Sequence, residues 1–154
     1  MQDLTPIVNA VVAEVLGIEE SEIDPSASLI DEYGAESIDF LDLTFKLNRQ
    51  LGVKLFRGEF LKLAQEVLGD GTALLDDGRL TPAAVALIEA RLPESAGNPA
   101  LVPGAPRGVF LRLFSARTFV RQLDELMESG STDGEARLRS WLEQYEMAHV
   151  PSAT

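Results

Sequence analysis

Residues 34–55 read GAESIDFLDLTFKLNRQLGVKL, and this stretch decides how the remainder of the chain is interpreted. Gly34 predicts a turn, residues 37–51 have the apolar spacing of a helix, and Gly52 predicts the end of that helix. Ser37 therefore opens a helix, where free backbone N–H groups and the helix dipole both favour a negatively charged group. The sequence leaves two interpretations open. Ser37 is only an N-cap, or it is also a serine that a modifying enzyme reaches and joins to a phosphate group, and both can hold because a phosphate is best tolerated at an N-cap.

The apolar residues of this helix form two neighbouring stripes. The first follows the 3-4 spacing of a core-facing side and comprises Phe40, Leu43, Leu47 and Leu51. The second is interleaved with Asp39 and Asp42 and comprises Ile38, Leu41 and Phe45. Burying carboxylates without partners is costly, so we expect the first stripe to face the core and the second to be a contact surface for another protein.

The same apolar spacing predicts further helices along the chain. Their ranges are 5–16, 58–68, 81–92, 115–128 and 135–148. Thr5 and Ser115 are predicted to cap two of them. The sequence has no strong strand pattern, so the predicted fold class is all-α.

Three segments between the helices are less regular. Residues 18–33 are predicted to form a long acidic loop whose apolar members reach the core, namely Ile23, Leu29 and Ile30. Residues 93–108 are rich in Pro, Gly and Ala and are predicted to be a loop or linker, the most mobile part of the chain. Residues 109–114 are predicted to be either a strand-like segment or a helical turn.

The chain is strongly acidic, with a formal net charge of −12 over 154 residues. Residues 1–56 hold eleven acidic and three basic side chains, which argues against nucleic acid as a partner. Acidic surface can steer basic proteins toward the chain, although the same charge also serves solubility alone. The absence of cysteine excludes disulfides, thiolate metal sites and cysteine nucleophiles. No apolar run approaches the ~20 residues of a membrane span and no signal peptide is recognisable, so the expected location is the cytoplasm.

The sequence argues against two other kinds of site. A calcium-loop interpretation with Gly78 at the sixth position places Ala73, Leu75 and Ala84 where oxygen ligands are needed, so no metal site is predicted. A hydrolase based on Ser37 lacks the flanking glycines of a G-x-S-x-G turn. The sole histidine, His149, lies near the C-terminus and is interpreted as a surface residue.

The run ESIDFLD, residues 36–42, resembles the acidic–Ser–Leu motif of acyl carrier proteins, in which the serine receives 4′-phosphopantetheine. The longer stretch to residue 55 is similar to the long, specialised carrier proteins of lipid A assembly, which share an S-[LI]-D-F-L-D run and a G-[VI]-K ending. Residues 115–127, SARTFVRQLDELM, resemble the last helix of the family. The resemblance covers residues 3–56 and 108–128.

The resemblance implies a function. Ser37 would hold 4′-phosphopantetheine, attached by a phosphopantetheinyl transferase, and the thiol of this arm would carry acyl groups as thioesters for fatty-acid, polyketide or specialised lipid enzymes. The protein, expected to be a monomer, would not itself be an enzyme. Acyl-loading, acyl-transfer or condensing enzymes with basic docking surfaces would contact the residues around Ser37, namely Glu36, Ile38, Asp39, Leu41, Asp42 and Phe45.

The chain also departs from the family pattern. Glu36 replaces the usual aspartate, Ile38 the usual leucine, and Lys46 and Arg49 occupy positions where many members are acidic. The largest departure is residues 57–107, where carrier proteins have one short helix.

We therefore predict one enlarged acyl-carrier-protein-like helical bundle, residues 1–154. Its carrier core would comprise residues 1–56 and 108–130, with a helical insertion at 57–107 and a C-terminal helical extension at 131–154. That extension, which contains Trp141, is expected to pack on the bundle. The principal alternative is an unmodified helical adaptor that binds a protein through the second stripe. The remaining alternative is a hydrolase that uses Ser37.

Overall fold

The structure, a computed structural model, describes residues 3–149. In chain order its helices and strands are α1 (Thr5–Leu16), α2 (Leu29–Tyr33), α3 (Ser37–Leu51), α4 (Phe60–Leu68), β1 (Leu75–Asp76), β2 (Arg79–Leu80), α5 (Pro82–Arg91), α6 (Val109–Arg112), α7 (Ala116–Glu128) and α8 (Gly134–His149). Short 3-10 turns occur at Glu20–Glu22 and Pro93–Ser95. The predicted all-α fold class is confirmed, with one small hairpin added.

The chain divides into two compact units. Among the described residues, the first comprises 3–57 together with Phe110–Gly134, and the second comprises Gly58–Val109 together with 135–149. α8 begins at the last residue of the first unit and continues in the second.

In the first unit, α1 packs against both α3 and α7. Its core contains a cluster of three aromatic rings. The Phe40 ring centroid lies 6.0 Å from that of Phe114 and 6.2 Å from that of Phe119, and the Phe114 and Phe119 centroids are 5.5 Å apart. The first apolar stripe of α3 therefore faces the core as predicted: Phe40, Leu43 and Leu47 are buried and Leu51 is half-buried.

The segment predicted to be a loop, residues 18–33, contains the short helix α2. Ser28 caps α2 by accepting the backbone N–H of Asp31 at 3.2 Å. The Tyr33 hydroxyl, at the other end, accepts the N–H of Asp24 at 2.6 Å and donates to the carbonyl of Glu22 at 3.2 Å. Of the expected core contacts, Ile23 and Leu29 are buried and Ile30 is half-buried.

Hydrogen bonds join this segment to the residues that precede α7. The Ser28 hydroxyl donates to the Arg112 carbonyl at 2.6 Å, and the Leu29 N–H donates to the Phe114 carbonyl at 2.9 Å. Arg112 Nε also lies 3.0 Å from Asp31 Oδ1. The acidic loop is thus ordered by partners distant in sequence, and residues 109–112 form the helical turn that was one of the two predictions for this segment.

Within the first unit, the residues that follow α3 make a close backbone contact with the residues at the start of α8. The Lys54 N–H donates to the Thr132 carbonyl at 2.8 Å, and the Gly134 N–H donates to the Lys54 carbonyl at 2.7 Å. A Cβ atom on Gly134 would lie 2.7 Å from the Lys54 carbonyl oxygen and 2.8 Å from the Phe56 nitrogen. Only glycine fits here without displacing the backbone.

The second unit contains α4, α5 and the hairpin β1–β2. Leu75 pairs with Leu80 and Asp76 with Arg79, and the turn between them has positive φ angles at Asp77 and Gly78. Strands of two residues are too short to produce an alternating pattern, so the sequence does not predict this hairpin. Thr81 caps α5 by accepting the Ala84 N–H at 3.2 Å.

The loop after α5 is hydrogen-bonded to β2. The Leu80 N–H donates to the Ala105 carbonyl and the Gly104 N–H donates to the Leu80 carbonyl, each at 2.8 Å. Leu101 is buried. The predicted loop is therefore confirmed, apart from its 3-10 turn, and its mobility stays a prediction.

α8 also contacts elements of the second unit. The Arg91 guanidinium lies over the Trp141 ring, 5.2 Å from its centroid, and Arg139 Nη2 lies 3.6 Å from Glu66 Oε2. The helix that carries Trp141 is thus associated with the predicted insertion, a pairing that the sequence did not indicate.

Candidate functional site

The turn before α3 is built on Gly34. This residue ends α2 with a φ of +70°, a conformation that glycine adopts without strain, and its N–H donates to the Ile30 carbonyl at 3.0 Å. The next residue, Ala35, is buried and donates its N–H to the Leu29 carbonyl at 3.1 Å. The turn is therefore anchored to α2, and it delivers the following residues, Glu36 and Ser37, to the surface.

Ser37 is not the N-cap of α3. The cap position belongs to Glu36, whose backbone is extended and whose N–H donates to the Asp39 carboxylate oxygen Oδ2 at 2.8 Å. Ser37 is the first helical residue, and its exposed hydroxyl forms no hydrogen bond with any other residue in the range 3–149. The N-cap interpretation is wrong, because Glu36 occupies the cap position and the capping bond joins Glu36 to Asp39.

The surroundings of this hydroxyl suit a phosphodiester. Ser37 and the next residue, Ile38, are in the first turn of a 15-residue helix, where backbone N–H groups lack partners within the helix. These amides and the helix dipole stabilise a negative group by about 0.3–1 kcal/mol at an exposed site. The exposed Ser37 side chain also leaves room for a bulky substituent that reaches into solvent.

The second stripe of α3 is exposed along one side of the helix. Ile38 is 66% exposed, Leu41 53% and Phe45 54%. They are three of the six large apolar side chains that are exposed within residues 3–149, and together they make one apolar surface beside Ser37. We call this set the α3 face. Its role as a contact surface stays a prediction.

The acidic residues near Ser37 have different tasks. Asp39 is half-buried and accepts the Glu36 N–H, so it supports the start of the helix. Asp42 is exposed and has no ion pair or hydrogen bond of its side chain to the rest of the described chain. Nothing in the sequence distinguished the two carboxylates, whereas in the structure Asp39 is hydrogen-bonded to the helix start and Asp42 is not.

Two basic residues form ion pairs that the sequence does not reveal. Lys46 Nζ lies 3.2 Å from Glu14 Oε1 of α1, whereas Arg49 is exposed. Arg112 holds α2, and therefore the Gly34 turn, through its contact with Asp31. These pairs join residues far apart in the sequence, and no local pattern signals them.

Other classes of site find no support in the described part of the chain. Among residues 3–149 there is no group of three or more His, Cys, Asp or Glu side chains that could hold a metal ion. No base contacts the Ser37 hydroxyl within the same range. None of the helices described is long and apolar enough to cross a membrane.

Comparison with known proteins identifies relatives of the part of the chain around α3. Residues 7–75 match the family described as "Phosphopantetheine attachment site". The chain is also similar to an acyl carrier protein of Thermotoga maritima, with 35% identity over 57 residues, which is 37% of this chain and 70% of that protein. No solved structure gives a significant match.

Proposed function

The chain belongs to the acyl carrier protein family, and on this premise we propose that Ser37 is the residue that carries its prosthetic group. Members of this family hold a covalently attached 4′-phosphopantetheine and are not themselves enzymes. When bound, this group supplies a terminal thiol on which acyl groups are held as thioesters and delivered to fatty-acid, polyketide or specialised lipid enzymes. The protein's own residues display the attachment point and bind the partner enzymes.

The single observation that carries the proposal is the state of the Ser37 hydroxyl. It is exposed, it lies in the first turn of α3, and within residues 3–149 it has no hydrogen-bond partner that a modifying enzyme would first have to displace. A phosphopantetheinyl transferase would join Ser37 Oγ to phosphorus and break the diphosphate bond of coenzyme A. The adenosine bisphosphate part would leave, and the hydroxyl proton would pass to a base of the transferase.

The residues around Ser37 support partner binding. We propose that acyl-loading, acyl-transfer or condensing enzymes contact the α3 face together with the acidic side chains nearest to it, Glu36, Asp39 and Asp42. Basic docking surfaces would be attracted to these carboxylates and would cover the exposed apolar side chains. A monomer that acts in the cytoplasm and a pathway close to lipid A assembly stay predictions from the sequence.

We further propose a division of labour along the chain. Residues 1–56 and 108–130 would be the carrier core, within the single domain 1–154 predicted from the sequence. The insertion at 57–107 and the C-terminal extension at 131–154 would then serve a purpose particular to this protein. The contacts of Arg91 with Trp141 and of Glu66 with Arg139 support treating these two segments together.

The alternative is an unmodified adaptor, and the observation in its favour is the same exposed α3 face. Such a protein would bind its partner without any group on Ser37. The hydrolase alternative has no comparable support, because no base contacts the Ser37 hydroxyl within the described residues.

The test is the intact mass of the protein after incubation with coenzyme A and a broad-range phosphopantetheinyl transferase. We expect a gain of one phosphopantetheinyl group that is lost in Ser37→Ala. Ser26→Ala, which removes another exposed serine of the first unit, should gain the group normally. No gain with several transferases would favour the adaptor, and turnover of a model ester by the unmodified protein would favour the hydrolase.

A further inference from the structure

The α3 face is bordered by charges of opposite sign. Asp42 and Arg49 are seven residues apart, so they lie on the same side of the helix with about 10 Å between them along its axis. Phe45 lies between them, three residues after the aspartate and four before the arginine. Both charged side chains are exposed, and neither forms an ion pair with any other residue that the structure describes.

The second cation of this part of the helix is in a different situation. Lys46 is half-buried and lies 3.2 Å from Glu14, so its charge is offset within the protein. Arg49 is therefore the cation of α3 that is presented to a partner together with the α3 face. Along α3 from Ser37, the exposed surface is therefore first apolar and acidic, from Ile38 to Phe45, and then basic, at Arg49.

We propose that the α3 face docks an enzyme whose surface presents a basic side chain opposite Asp42, an apolar recess for Phe45 and a carboxylate opposite Arg49. This inference rests on the proposed carrier function and names the chemistry of its partner. A surface that is basic throughout would be repelled by Arg49, so the required partner surface has charges of both signs in a fixed order. That order also sets the direction in which the partner lies along α3.

A second copy of this chain is a poorer occupant. Two antiparallel copies of α3 could pair Asp42 of each with Arg49 of the other, since such a twofold contact is self-complementary. The same pairing would place Leu41 opposite Gln50, and Ile38 opposite Val53, which is already buried in its own unit. Phe45 would meet its own copy near the axis, but Leu41 and Ile38 would gain no exposed apolar partner, and the net charge of −12 on each copy opposes association.

The test begins with a photo-cross-linking amino acid in place of Leu41, in cells that make the full chain. The protein that cross-links is identified by mass spectrometry and purified, and its affinity for the phosphopantetheinylated chain is measured by calorimetry. We expect Arg49→Glu to weaken binding about three- to tenfold, because it replaces an attraction between opposite charges by a repulsion between like charges. Replacing the partner's facing carboxylate by lysine should restore the affinity of this variant.

The matched control is Arg117→Glu, which makes the same charge change at an exposed position of α7 and should alter affinity less than twofold. Equal effects of the two reversals, a cross-link only to a second copy, or no cross-link would each overturn the proposal. Intact mass separates this outcome from failure of the carrier function. A wild-type protein without the group on Ser37 would overturn both, whereas a loaded protein that binds regardless of Arg49 overturns this proposal alone.

Discussion

The backbone N–H of Glu36 donates to the Asp39 carboxylate at 2.8 Å, across the serine that lies between them in sequence. In this contact the third helical residue accepts the N–H of the cap residue, as in one half of a capping box, so the cap position belongs to Glu36 and not to the serine. The Ser37 hydroxyl takes no part in this contact, and within residues 3–149 it is exposed and has no hydrogen-bond partner.

The first prediction separates the two carboxylates. Asp39→Lys removes the bond to the Glu36 N–H and places positive charge at the positive end of the helix dipole, so we expect the free energy of unfolding to fall by about 1 kcal/mol. Asp42→Lys lies beyond the first turn and should change it by no more than a few tenths of a kcal/mol. Urea denaturation followed by circular dichroism measures both values.

The same pair of variants tests docking. Asp42→Lys should slow acyl loading of the modified protein by a partner with a basic docking surface, although its stability is unchanged. If loading slows only in the less stable Asp39→Lys, Asp42 has no contact role.

The second prediction compares two phenylalanines of one helix. Phe40 is buried among the rings of Phe114 and Phe119, whereas Phe45 is 54% exposed on the α3 face. We expect Phe40→Ala to cost about 3–5 kcal/mol of stability and Phe45→Ala less than about 1 kcal/mol. Equal losses in thermal or chemical denaturation would contradict the assignment of the two stripes.

The third prediction concerns the close approach at Gly134. In Gly134→Ala the new methyl group would lie 2.7 Å from the Lys54 carbonyl oxygen, and backbone on both sides must move to relieve the clash. We expect a loss of about 1–3 kcal/mol, the range for overpacked sites. Gly71→Ala is the matched control, since a Cβ there meets nothing within 4 Å, and a similar loss in both variants would refute the packing explanation.

The fourth prediction is a pH dependence at the start of α1. Thr5 was predicted to cap this helix, but the carboxylate of Asp3 accepts the Thr5 N–H at 2.9 Å, and this hydrogen bond lowers the pKa of Asp3. A lowered pKa means that the contribution to stability is present above the unfolded value, about 3.9, and is lost as the pH falls through the folded value. A titration followed by carboxyl NMR should place the midpoint below that of an unstructured aspartate. A midpoint at or above the unstructured value would contradict the contact.

Local spacing was sufficient to predict most of the helices. The period of apolar residues fixed α3 at its observed bounds and assigned its two stripes, because a helix brings residues three and four apart to the same side. Glycines with positive φ ended α1, α2 and α3 because other residues adopt that conformation only with strain. The motif around Ser37 indicated the family because its residues are consecutive in the sequence.

Tertiary structure decided what local spacing cannot encode. The order of residues 18–33 depends on Arg112 and Phe114, which are more than 80 residues away from their partners Asp31 and Leu29. The sequence by itself determined that Ser37 opens an amphipathic helix. Only the folded chain decided that Lys46 is paired with Glu14 and that Asp42 and Arg49 remain without ion pairs among the described residues, because each outcome depends on which side chains the fold brings within reach.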